Sequence, residues 1–141
     1  MASLDRPHTE SRSVALTTLA AWLMASAFAI STVHETYRAT AKAGVSRYDS
    51  MQGFLTRTLP FYVVAMAAVL AMGFGVTGAA WAALVLASGM VLVSAFYYNP
   101  TIMAARQPGI IDWAEDVAFT GLFLASGVLL VAHVADVTLA A

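Results

Sequence analysis

The apolar residues of this chain fall into four long stretches separated by polar segments. The stretches run over Ser13–Val33, Leu59–Val76, Ala79–Tyr98 and Val117–Ala135, and none contains Asp, Glu, Lys or Arg. A helix needs about 20 mainly apolar residues to cross the hydrocarbon core of a bilayer, and each stretch comes close to that length. The pattern therefore predicts four transmembrane helices.

The connections refine this prediction. Only residues 75–78 separate the second and third stretches, which indicates a tight antiparallel hairpin. The first connection, residues 34–58, is long enough for a helix of its own: Ser46–Asp49 resembles a capping sequence and Met51–Leu55 offers an apolar face. Pro60 suits the first turn of the second helix. We predict an all-α integral membrane protein, a four-transmembrane-helix antiparallel bundle with a short interfacial helix between helices 1 and 2.

Composition agrees with one membrane domain. The 141 residues are 60% hydrophobic and 11% charged, too little charge to cover the surface of a soluble domain. We predict a polar N-terminal tail at residues 1–12 and a single four-helix domain at residues 13–141. The net charge of −1 gives no basic surface for nucleic acid, and the absence of cysteine excludes disulfides and thiolate chemistry.

Basic residues are distributed unevenly between the two sides of the predicted bundle. The first and third connections carry five of them, whereas the tail carries two, and positive charge favours the cytoplasmic side. We therefore predict a multi-pass protein of the inner (plasma) membrane, with the long connections cytoplasmic and both termini outside. The five are Arg38, Lys42, Arg47, Arg57 and Arg106, and the two are Arg6 and Arg12.

Polar groups that could perform chemistry gather at one membrane face, where helices 1 and 3 end and helices 2 and 4 begin. Such a rim could enclose a pocket for a small molecule. We predict Glu35 as a base assisted by His34, with Arg38 stabilising an anion. The predicted substrate-binding residues are Arg57, Tyr97, Asn99, Trp113 and Asp116.

Structural interpretations of the same residues stay open. The aromatic residues lie where a membrane-interface belt is expected, and Asp112 and Glu115 fit an N-cap pattern for the fourth helix. Glu35 lies at the predicted end of a helix, where the dipole is unfavourable, so we expect a cationic partner such as Arg38 or Arg57. The paired Glu-x-x-His spacing of di-iron bundles is missing, so no metal site is predicted, and the cofactor is unknown.

Small residues recur at every fourth position on three of the predicted helices, a spacing that lets helices approach closely in lipid. We expect these ridges to pack against neighbouring helices. They are Ala21, Ala25 and Ala29; Ala67, Ala71 and Gly75; and Gly121 and Ala125.

Three short sequences carry a resemblance to a known family. Thr32–Glu35, Tyr98–Thr101 and Trp113–Asp116, in a chain with this order of helices and connections, resemble the anthrone-oxygenase-like family of small four-helix membrane proteins. The resemblance implies oxidoreductase or oxygenase-like activity on a hydrophobic phenolic substrate.

Two other functions are open. The chain could be a non-catalytic accessory subunit of a larger respiratory or photosynthetic membrane complex, because it is small and has few reactive groups. It could also bind a small molecule or lipid without turnover. The expected partners are the lipid bilayer and either further copies of the chain or a larger membrane complex, with no nucleic acid.

Overall fold

The computed structural model describes residues 6–139, with side chains over residues 11–138. This part of the chain is all-helical, with four long helices: α1 (Arg6–Thr40), α2 (Met51–Gly73), α3 (Ala79–Met103) and α4 (Ile110–Leu139). Each is long and apolar enough to cross a membrane. The prediction of four helices of this kind is confirmed.

The helices extend beyond the apolar stretches at the end that carries the polar rim. α1 continues to Thr40 rather than ending near Val33, and α4 begins at Ile110 rather than near Val117. Most of the predicted site residues therefore lie on helices rather than on connections. At its other end α1 begins at Arg6, so residues 6–12 of the predicted tail are helical, and residues 1–5 lie outside the described range.

The prediction of a separate interfacial helix is wrong. Ser50 is the N-cap of α2, its side chain accepting a hydrogen bond from the Gly53 N–H, and the helix then runs without interruption to Gly73. Ser46 does not cap a helix; its hydroxyl donates to the Asp49 carboxylate at 2.7 Å within the connection. The apolar residues after Ser50 therefore form the first turns of α2 itself.

Pro60 and Pro100 are both associated with π-helical segments. Phe54–Thr58 of α2 lies just before Pro60, and Ser94–Met103 of α3 contains Pro100. Proline lacks a backbone donor and clashes with the carbonyl four residues earlier, and a wider turn relieves that clash. Pro60 is thus inside a longer helix than the sequence predicted, and Pro100 does not end α3.

The α2–α3 connection is a tight turn at the predicted place. Gly75 and Gly78 have φ values of 72° and 80°, a left-handed conformation that glycine adopts without a Cβ clash. Five residues, 74–78, therefore connect α2 to α3.

The apolar core lies along α1 and brings all four helices together. Phe28 contacts Phe123 and Tyr62 with ring centroids 5.2 Å apart in each case, which ties α1 to α4 and to α2. Ala83 and Ala87 of α3 are fully buried in the same core.

The predicted small-residue ridges are largely wrong. Ala29, Ala67, Gly121 and Ala125 are exposed. Ala21 and Ala71 are the ridge residues that are partly buried against the core. The most buried alanines lie on neighbouring faces of α1 and α2 and on α3: Ala20, Ala27, Ala65, Ala83 and Ala87. A spacing of four residues shows that small residues share one face of a helix, but it does not show which of several alanine-containing faces packs inward.

Candidate functional site: a buried polar network beside a cleft

Charged residues from α1, α4 and two connections meet in one buried network. On α1 they recur at positions 34, 35 and 38, and on α4 at positions 112, 115 and 116, spacings that place each set on one helix face. The eight members are all buried: His34, Glu35, Arg38, Asp49, Arg106, Asp112, Glu115 and Asp116.

Arg38 holds the two connections against the helices. Its Nε and Nη2 donate to the two oxygens of Asp49 at 3.0 and 2.7 Å, and Nη2 also donates to the Arg106 carbonyl oxygen at 2.9 Å. Its Nη1 donates to Asp112 Oδ1 at 3.4 Å. A guanidinium with this many partners, and only 1% exposed, is a structural anchor.

Glu35 has a cationic partner, as expected, but the partner is Arg106 rather than Arg38 or Arg57. The two Nη atoms of Arg106 donate to the two Glu35 oxygens at 2.6 and 2.8 Å, and Nη1 also donates to Tyr98 Oη at 2.8 Å. Burial would lower the pKa of Arg106, but the hydrogen bonds and negative charge of Glu35 outweigh burial and raise that pKa. Arg106 is therefore always charged.

Asp49 lies next to both buried arginines, Arg38 and Arg106. Burial would raise the pKa of the Asp49 carboxyl, but the hydrogen bonds from Arg38 and Ser46 and the charge of Arg106, whose Nε lies 3.2 Å away, more than offset it. The pKa of Asp49 consequently lies below its ordinary value.

Only one of the two ring nitrogens of His34 has a hydrogen-bond partner. Its Nε2 lies 2.9 Å from Asp112 Oδ1, whereas Nδ1 has no hydrogen-bond partner; the nearest carboxylate oxygens are those of Glu115 at 3.4 Å and Glu35 at 4.0 Å. The second oxygen of Asp112 accepts from the Gly109 N–H at 2.7 Å. Asp112 is the third residue of α4, and its side chain accepts from the backbone N–H of the residue just before the helix. The prediction that Asp112 is the N-cap residue is therefore wrong.

A cleft of about 590 Å³ opens beside this network. Its walls come from the first connection and from α2 and α3, including their π-helical parts. The Glu35–Arg106 pair and Tyr98 lie in its lining. Three arginines and one glutamate line the cleft, so its charge favours an anion. The lining residues used below are Glu35, Arg47, Arg57, Phe61, Tyr98 and Arg106.

A smaller chamber of about 80 Å³ shares part of the cleft lining. Glu35, Tyr62, Met90 and Tyr98 line both spaces. The chamber is also lined by carboxylates from α4 and by hydroxyls from α1 and α3. One of these carboxylates is Asp116, whose Oδ1 accepts from Ser94 Oγ at 3.0 Å. The chamber lining also includes the apolar side chains of Met90, Val93 and Phe119.

The structure brings together only some of the predicted site residues. Glu35, Arg57 and Tyr97 line the cleft, and Asp116 lines the chamber, so the expected proximity of Glu35 and Asp116 is observed. The others line neither space: His34 and Arg38 are buried behind the cleft, Asn99 is half-buried and Trp113 is half-exposed.

The sequence-based reasoning missed two central members of the network, Asp49 and Arg106. A signal for both was present, because Asp49 is the only acidic residue between Glu35 and Pro60, and Arg106 is the only charged residue between Tyr98 and Asp112. A single acidic residue in one connection and a single charged residue in the other, each close in sequence to a rim that holds opposite charges, are candidates for pairing.

Among residues 11–138, no three His, Asp or Glu side chains are grouped in a way that could hold a metal ion. No protein-family model, no curated protein and no solved structure matches this chain.

Proposed function

We propose that this chain is a multi-pass protein of the inner (plasma) membrane, folded as an antiparallel bundle of four transmembrane helices. The four candidate spans are 23 to 30 residues long, and large apolar side chains cover the outside of the helices. Examples are Trp22, Val64, Val85 and Val128, each more than half exposed. Lipid is the environment that suits such a surface, since soluble monomers rarely expose large apolar patches.

The proposed orientation places the long connections in the cytoplasm. The absence of native cysteine allows a direct test: a single cysteine at Lys42, in the first connection, or at Thr77, in the α2–α3 turn. A membrane-impermeant maleimide added to intact spheroplasts should label T77C and should label K42C only after lysis. The reverse pattern would contradict the orientation while leaving the four spans intact.

Within this framework, the protein binds a hydrophobic phenolic molecule as its anion and acts on it as an oxidoreductase. The observation that carries this proposal is the 590 Å³ cleft, where arginines adjoin aromatic and aliphatic side chains. Phe61 and Ile102 offer the apolar contacts for a ring system, while Arg57 is exposed and free to approach a phenolate oxygen. Arginine beside an apolar wall is suited to an aromatic anion.

The Glu35–Arg106 pair gives this site a means of handling the phenolic proton. Glu35 takes the O–H proton, and Arg106, released from the carboxylate it neutralised, pairs with the phenolate oxygen. The buried charge is then the same before and after the transfer, which avoids an uncompensated ion. In this scheme His34 and Arg38 position Glu35 and the connections. The oxidation that the family resemblance implies then takes place on the bound phenolate, with molecular oxygen as the oxidant that accepts its electrons.

Binding can be measured with 2-naphthol fluorescence against protein-free detergent as the baseline. Naphthalene, which lacks the hydroxyl, serves as the ligand control, and Arg12→Gln at the opposite end serves as the protein control. We expect Arg57→Gln to weaken 2-naphthol binding by about tenfold, the loss of one charge-assisted hydrogen bond, and Arg12→Gln to leave it unchanged. Equal binding of naphthalene and 2-naphthol would contradict the anion site.

Turnover is tested by oxygen consumption with a hydroxylated polycyclic aromatic substrate. Glu35→Gln should abolish consumption in a variant that still elutes as folded protein by gel filtration. Unchanged consumption would refute the role of Glu35. If the protein binds no phenol and is recovered only together with another membrane protein, the accessory-subunit alternative gains support instead.

A further inference from the structure

Two neighbouring carboxylates on α4 lack a strong cationic partner. Glu115 and Asp116 are 8% and 6% exposed and both line the 80 Å³ chamber. Over residues 11–138 no lysine or arginine nitrogen lies within 4 Å of either, whereas Glu35, the third carboxylate of the chamber, is already paired with Arg106. A buried carboxylate without a counter-charge costs several kcal/mol, on the order of the penalty for desolvating one ion.

His34 indicates independently that a donor is missing at the same place. Its side chain is 4% exposed, and its Nδ1 faces oxygens of Glu115 and Glu35, both of which line the chamber, without a hydrogen bond to either. With the Nε2–H donating to Asp112, Nδ1 presents a lone pair to two carboxylates. The Nδ1 lone pair and the Glu115 carboxylate, 3.4 Å apart, then face each other without a hydrogen bond between them.

The remaining chamber lining defines what kind of cation fits. Met90, Val93 and Phe119 contribute hydrocarbon, and Tyr62 and Tyr98 contribute aromatic rings. A metal ion needs several converging oxygen ligands, and the described side chains offer no group of three acidic or histidine residues for one. An ammonium group attached to a hydrocarbon chain matches both parts of the lining, since aromatic faces also attract ammonium ions.

We infer that the chamber binds the ammonium head of a lipophilic primary amine between Glu115 and Asp116. The hydrocarbon part of the amine packs against Phe119 and Met90. Val93, which also lines the chamber, is 49% exposed, so the chamber reaches the outer surface of the helices and a longer tail can extend there. The proposed phenolate site uses Glu35, which lines both spaces, but Arg57 lines only the cleft whereas Glu115 and Asp116 line only the chamber, so variants at these three residues separate the two sites.

Isothermal titration calorimetry on the full chain in non-ionic detergent tests the inference with n-butylammonium chloride. Sodium chloride and n-butanol are the ligand controls for charge and for hydrocarbon. We expect butylammonium to bind and both controls to fail, and Glu115→Gln to weaken butylammonium binding at least about tenfold. Asp136→Asn, a carboxylate change at the opposite end of the bundle, should leave the affinity unchanged.

Several results would overturn the inference. They are no heat with butylammonium, equal binding of n-butanol, equal competition by sodium, or an unaltered affinity in the Glu115→Gln variant. If that variant does not fold, Asp116→Asn provides the same test on the neighbouring carboxylate. Arg57→Gln should weaken 2-naphthol binding without affecting butylammonium, so failure of either site is recognised separately.

Discussion

The two ends of the helix bundle hold charged side chains in opposite ways. At the rim end, Arg38 and Arg106 are buried and each makes a two-pronged contact with a carboxylate. At the other end, Arg12 approaches Asp136 at 3.5 Å with side chains 67% and 35% exposed. The Arg106–Glu35 and Arg12–Asp136 pairs both join residues far apart in sequence, but only the Arg106–Glu35 pair is buried away from water.

This difference indicates at which end of the helix bundle electrostatic interactions control the fold. Two unit charges attract far more strongly in a low-dielectric interior than at a wet surface, but the interior pair also imposes a large penalty if one partner is removed. The rim network fixes the positions of both long connections, whereas the pair at the opposite end joins two helix ends that already pack beside it. The rim should therefore dominate the response to mutation.

The largest expected effect is at Arg106. Arg106→Met leaves Glu35 buried without a counter-charge and should destabilise the protein by about 3–5 kcal/mol, measured by thermal unfolding in detergent. Arg12→Met is the matched control at the other end. Adding Glu35→Leu to the Arg106 variant should restore most of the loss, since the unpaired carboxylate is then gone. No recovery in the double variant would show that packing, rather than charge, explains the effect.

A smaller effect, with a defined pH dependence, is expected at Asp49. Its pKa in the folded protein lies below the ordinary value of 3.8, so its contribution to stability is fully present above that pH and is lost as the pH falls through the folded value. Asp49→Asn should lower the stability at pH 7 by about 1.5–3 kcal/mol, the range for hydrogen bonds to charged groups. Its stability should also fall less than that of the wild type when the pH drops below 4.

A steeper acid loss in the Asp49→Asn variant than in the wild type would contradict this assignment. Asp136→Asn gives the comparison at the other end, where the carboxylate is partly solvated. That change should alter the stability at pH 7 by less than about 1 kcal/mol, the range for exposed ion pairs.

The sequence predicted the rim better than it predicted the contacts within it. Hydropathy located the four helices because a span must be apolar over its whole length. It also placed Glu35 and Asp116 at the same end. The expected cationic partner of Glu35 exists, but the reason is burial rather than the helix dipole, because α1 continues to Thr40. The cation is Arg106, which lies 71 residues after Glu35 in the third connection. No local sequence pattern could identify it as the partner, because the contact depends on how that connection folds.

Helix ends were predicted poorly for a related reason. Hydropathy alone stops α1 near Val33, but Arg38 is buried by its partners, so α1 can continue to Thr40. The π-helical segments around Pro60 and Pro100 were also missed, because a proline reads as a helix start or end in sequence but is accommodated here by a wider turn.

The smallest expected effect is at Arg12, and it completes the comparison. Arg12→Gln removes a solvated pair and should change stability by less than about 1 kcal/mol, the range for exposed ion pairs. Raising the salt concentration to about 1 M, where the Debye length is about 3 Å, should remove even this difference, because exposed charges are screened. The loss in Arg106→Met should persist at the same salt concentration, since the rim pair is buried. If salt reduced both losses to the same extent, water would reach the rim network as freely as the opposite end, and the distinction between the two ends would fail.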